Sequence, residues 1–135
     1  MKRFFLAFFC IAGITGGIFY AISVPHDPLI HASDGVIDLR DAALEMDKNV
    51  YMLGGEWEFY WGRLYEPKDF LEGPREGKTL ISVPGPWSSS GYQRTGHATY
   101  RLTILAPEGA LMMFVPEITS AAVIWVNGEK IFSAG

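Results

Sequence analysis

Residues 53–67 read LGGEWEFYWGRLYEP, five aromatic rings set between a glycine pair and a proline. Within this stretch Glu56–Trp61 alternates. Trp57, Phe59 and Trp61 fall on one side of an extended chain, and Glu56, Glu58 and Tyr60 on the other. A period of two predicts a half-buried strand with a polar outer face. The segments on either side extend that reading to the whole domain.

Downstream, Tyr65–Lys78 is a charged connection punctuated by Gly and Pro. Thr79–Pro84 (TLISVP) is a short apolar strand stopped by Pro84-Gly85-Pro86. Trp87–Ala98 (WSSSGYQRTGHA) is a loop of small polar residues carrying Trp87, Tyr92 and His97. Thr99–Leu105 (TYRLTIL) alternates again, with Tyr100, Leu102 and Ile104 inward and Thr99, Arg101 and Thr103 outward. Leu111–Pro116 (LMMFVP) and Ala121–Val126 (AAVIWV) are continuous apolar runs that suit the inside of a sheet. Asn127-Gly128 is a strong hairpin signal, and Glu129–Phe132 starts the return strand. Upstream, Val36–Leu39 reads as a short strand, and Ala42–Val50 as a loop broken by Asp47-Lys48-Asn49. About seven short strands at this spacing predict an all-β chain, an antiparallel β-sandwich of jelly-roll type over residues 35–135.

The N-terminus is an address. Lys2 and Arg3 precede Phe4–Val24, a run without a single charge. One N-terminal hydrophobic helix is expected there, and its length suits a membrane anchor. Ala21 and Ser23 also provide the small residues of a signal-peptide cleavage site, so residues 1–24 read as a signal peptide or an anchor. In both cases the basic end stays in the cytoplasm and the rest is exported. Residues 25–34 form a polar, proline-bearing linker. Cys10 is the only cysteine, which excludes a disulfide within the chain. A net charge of -4 without a basic stripe gives nucleic-acid binding no electrostatic support.

Catalytic patterns are weak. His26, His31 and His97 lack the tight ligand spacing of a zinc site. Ser88–Ser90 near His97 lack a nucleophile elbow. Glu56 and Glu58 share one strand face, where two carboxylates cannot easily flank a scissile bond, and a solvated outer face is the preferred reading. No catalytic residue, metal or cofactor is therefore assigned. Ligand binding is the better activity for the loop after Val83. Trp87, Tyr92, Gln93, Arg94 and His97 combine rings with amide and guanidinium donors, a set suited to sugars or anionic small molecules. Trp87 equally suits a plug at one end of the sandwich, and that structural use is the favoured one for it.

Leu53–Phe70, then VPGPWSSS (Val83–Ser90), GHATYRLTI (Gly96–Ile104) and VIWVNGEKIFSAG (Val123–Gly135) together resemble the extracellular sensor domain of bacterial seven-transmembrane receptors with diverse intracellular signalling modules. The resemblance covers most of residues 35–135. Gly-Glu-Trp-x-Phe-Tyr-Trp-Gly is its most specific part. It implies a galactose-binding-like jelly roll and a non-catalytic, extracytoplasmic, membrane-associated sensor for a carbohydrate or small metabolite. Residues 4–24 would hold it to the membrane if uncleaved. Similar landmarks occur in the sugar-binding domain of family 2 glycoside hydrolases, so an accessory domain of an exported glycosidase is the alternative. A structural envelope interaction module is a further one. In the receptor family more strands follow the Asn-Gly hairpin, so an open sheet edge is expected after Gly135, covered by a partner chain or by further chain.

Overall fold

A computed structural model describes residues 2–12, 31–40, 52–106, 108, 112–115 and 118–135. Its strands are β1 (Lys2–Ala12), β2 (His31–Ala32), β3 (Val36–Asp38), β4 (Gly54–Trp61), β5 (Thr79–Val83), β6 (Gly96–Ala106), β7 (Ala121–Val126) and β8 (Glu129–Ala134). Short 3-10 turns occupy Pro67–Phe70 and Trp87–Ser90. The fold is all-β. The strands join in one curled sheet, ordered β2-β4-β6-β1-β7-β8, with β5 on β4 and β3 on β6.

The alternation of β4 and β6 places the core. Phe59, Leu102, Ala98 and Ile124 are inaccessible to solvent. Trp57 joins Leu102, Ile104 and Ile124 in one cluster, and Phe59 joins Ile81, Trp87 and Ala98 in a second. Each large side chain so buried contributes about 2 kcal/mol of hydrophobic stabilisation. The expected Asn127-Gly128 hairpin forms, with both residues at positive φ and Val126 opposite Glu129.

A second turn of the same kind closes the sheet near β4. Asp34 and Gly35 have φ of 49° and 75°. Gly35 donates its N–H to the Glu56 carbonyl (3.0 Å), and its own carbonyl accepts from Thr103 N–H (2.8 Å). The turn thus fills the gap where β4 and β6 diverge. A Cβ on Gly35 would lie 2.5 Å from Glu58 Cγ, so the close approach requires glycine. Part of the stretch read as linker, His31–Ala32, belongs to the sheet as β2, paired in parallel with Gly54–Gly55.

Three expectations are corrected. The hydrophobic helix expected over residues 4–24 is absent from its first half: Lys2–Ala12 is strand β1, between β6 and β7. An uncharged run has no period of its own to choose helix or strand, and two free backbone ladders decide the matter. Residues 13–24 lie outside the described residues, as does the loop expected over 42–50. The outer face of β4 is solvated at Glu56, as expected, but not beyond it: Glu58 is 8% exposed and Tyr60 fully buried. Finally, residues 112–115 of the expected LMMFVP strand form no strand. Met113 and Val115 pack against the core while Met112 and Phe114 are 99% and 86% exposed. The expected open edge lies at β8, which pairs only with β7 among the described strands and leaves Ile131 and Phe132 exposed.

Candidate functional site

The loop from Trp87 to His97 rests on an aromatic base supplied by β4. Val83–Pro86 turns the chain out of β5, and the 3-10 turn Trp87–Ser90 ends at Gly91 in the left-handed region (φ 86°). That reversal returns the chain to Tyr92, whose N–H donates to the Trp87 carbonyl at 3.4 Å. Trp87 points inward, 6% exposed, with its ring 5.0 Å from Trp61 and 6.3 Å from Phe59. Its indole N–H donates to the Arg94 carbonyl (3.4 Å) and so ties the two ends of the loop together. The structural use of Trp87 accounts for these contacts.

Tyr92 is half-buried over Phe59 (4.9 Å between centroids) and Trp61 (5.1 Å). Its hydroxyl meets Thr79 Oγ1 at 2.9 Å. Trp61 lies across Gly96, where a Cβ would come within 2.5 Å of the indole ring. Gln93, Arg94 and His97 are exposed. Among the described residues their side chains take part in no hydrogen bond or ion pair, whereas the His97 carbonyl accepts from Gly62 N–H (2.8 Å). The five expected residues therefore divide into a buried brace (Trp87), a half-buried ring (Tyr92) and three uncommitted polar groups. Trp61, read from the sequence as core alone, is a further half-exposed ring of this region. The glycine at 96, which leaves room for its indole, was the available signal.

The opposite face of β4 holds a different cluster. Glu58 accepts from Arg101 (2.8 Å) and from the Tyr60 hydroxyl (3.0 Å), and forms an ion pair with Lys78 (3.2 Å). Lys78 also reaches Asp34 (3.1 Å). Arg101 lies 4.8 Å over the Phe70 ring, and Tyr60, Tyr65 and Phe70 pack edge to face. Residues 62–78 form the roof. Thr99, fully buried, anchors it by accepting from Tyr65 N–H and donating to the Arg63 carbonyl, both at 2.9 Å. Burial, then the neighbouring Glu58 charge, raises the Tyr60 phenol above its ordinary range. For Lys78, burial works against the charge, but hydrogen bonds to Asp34 and Glu58 outweigh it and raise the ammonium pKa. At the edge of the sheet, hydrogen bonds from Arg40 hold the Asp38 carboxyl down at about 2.

Outside this roof is an open cleft of about 490 Å³ lined by Tyr65, Asp69, Pro74, Arg75 and Glu76. None of the five sequence-predicted site residues lines it. Among the described residues no group of three or more His, Cys, Asp and Glu side chains could hold a metal ion, and no helix is long and apolar enough to cross a membrane. The buried Glu58 carboxylate already has two cations and a hydroxyl as partners, which suits it to holding the roof. No protein family, curated protein or solved structure compared with this chain matches it.

Proposed function

We propose that the chain is a non-catalytic, extracytoplasmic ligand-binding domain of jelly-roll, galactose-binding-like type. It serves as the sensor of a membrane signal-transduction receptor and takes a carbohydrate or small metabolite. The observation that carries this reading is the pair of half-buried rings Trp61 and Tyr92, braced by buried Trp87, in the region that carries the exposed Gln93, Arg94 and His97. Rings offer apolar faces to a sugar, and uncommitted amide, guanidinium and imidazole groups orient its hydroxyls or a carboxylate. The sequence resemblance to sensor domains supports the rest, including membrane association through residues 4–24 where that segment is retained.

Thermal unfolding of the full chain against a panel of neutral sugars, sugar acids and small carboxylates tests the reading. A ligand that binds the folded state stabilises it by about 2.7 kcal/mol at a hundred times its Kd, and the melting temperature rises with the logarithm of its concentration. At least one member is expected to do so. An unchanged melting temperature across the panel rejects ligand binding in favour of an interaction module.

A further inference from the structure

Strand β1 pairs antiparallel with β6 from Lys2↔Ala106 to Ala12↔Gly96, and antiparallel with β7 from Leu6↔Val126 to Ile11↔Ala121. The strands β6 and β7 therefore run parallel to each other, with β1 between them as the only element among the described residues. Their side chains mark two kinds of register row. Ile104, Leu102 and Ala98 of β6, and Ile124 and Ala122 of β7, are buried. Phe4, Leu6, Phe8 and Cys10 occupy those rows. The alternate rows carry Thr103, Arg101, Thr99 and His97 on β6 and Trp125, Val123 and Ala121 on β7, and their β1 members are Phe5, Ala7, Phe9 and Ile11.

The apolar β7 side of these rows suits Ala7, Phe9 and Ile11, so the slot accepts an uncharged strand. The same apolar run also suits a second environment. Lys2-Arg3 followed by the uncharged run Phe4–Val24 has the composition and length of a membrane-directed segment. One segment cannot complete two backbone ladders and lie in lipid at the same time, because in the bilayer its backbone must be satisfied within its own helix.

We infer that residues 2–12 have two mutually exclusive destinations, the slot between β6 and β7 and a lipid bilayer. Insertion of the N-terminus into the membrane opens the slot, and entry into the slot withdraws the N-terminus from lipid. The inference rests on the membrane-associated part of the proposed function and is independent of which ligand, if any, is bound.

The sole cysteine provides the test. Cys10 is the register partner of both Ala98 and Ala122. Antiparallel partners have Cα atoms about 4.5–5.5 Å apart, within reach of a disulfide. The full chain carrying Ala98→Cys or Ala122→Cys is oxidised without lipid and then offered to vesicles of phosphatidylethanolamine and phosphatidylglycerol. In at least one variant an intramolecular disulfide is expected. The reduced chain should float with the vesicles, and the oxidised chain should stay in the soluble fraction. Oxidised chain floating as well as reduced chain overturns the exclusivity alone. Failure of both variants to form the bond overturns the slot. A reduced chain that does not float removes the lipid destination, and with it the membrane association of the proposed receptor.

Discussion

Two polar regions flank β4, and they are built in opposite ways. On its roofed face, Glu58, Arg101, Lys78, Asp34 and Tyr60 are joined by hydrogen bonds and ion pairs, and the central carboxylate is buried. In the Trp87–His97 loop, Gln93, Arg94 and His97 are exposed over an aromatic base without such partners among the described residues. Satisfied polar groups in a dry setting specify structure; exposed polar groups near half-buried rings are free to meet a ligand. The contrast assigns stability to the first region and motivates the recognition proposed for the second.

The largest expected effect belongs to the core that both regions share. Trp57→Ala should cost about 3–5 kcal/mol by leaving a cavity, and denaturant unfolding should show a domain lost as a whole. A folded Trp57→Ala chain that had lost only ligand response would contradict that assignment. Next, Glu58→Ala leaves Arg101 and Lys78 without their shared carboxylate, and a loss of about 3 kcal/mol is expected. Its double-mutant cycle with Arg101→Ala should show a coupling of about 1 kcal/mol or more, and additive losses would mean the pair is merely superficial. Gly35→Ala should cost about 1–3 kcal/mol, since its φ of 75° is strained for alanine and its Cβ meets Glu58. Gly128→Ala, also at positive φ but with open space around its Cβ, should cost less.

A smaller effect is expected at alkaline pH. The folded-state pKa of Tyr60 is raised, so its contribution is complete below the ordinary tyrosine value and is lost as pH rises towards the folded value. Ultraviolet titration of wild type against Tyr60→Phe should show one phenol, present only in wild type, that ionises above the ordinary tyrosine range. Co-titration of every tyrosine would argue against the buried cluster. The smallest change in stability, within about 0.5 kcal/mol, is expected for Arg94→Ala, an exposed loop substitution. The same variant should lose ligand response, and a large loss of stability instead would make Arg94 a structural residue.

These expectations reflect what can be read along the chain and what cannot. Strands β4 to β8 are legible because Trp57/Phe59, Leu102/Ile104 and Asn127-Gly128 carry local patterns, period two and turn chemistry. The roof over Glu58 is not, because residues 62–78 have no period and their anchors are distant in sequence: Tyr65 and Arg63 on Thr99, Phe70 under Arg101. Alternation distinguishes the polar face of β4 from the apolar one but cannot say whether water or a loop covers it. Strand β2, two residues long, is too short to show a period, whereas β3 falls within the strand expected over Val36–Leu39. The candidate site was legible in the composition of Trp87–His97. The inward turn of Trp87, and the place of Trp61 beside it, depend on pairing between β4 and β6 that no local pattern contains.

The most direct test of the recognition assignment is chemical-shift mapping on the isotope-labelled full chain during titration with whichever panel member raises the melting temperature. The perturbed amides and indoles are expected to centre on Trp61, Trp87 and Tyr92 to His97. Perturbations centred on Tyr65, Asp69 and Arg75 would contradict it and move the binding site to the cleft on the opposite face.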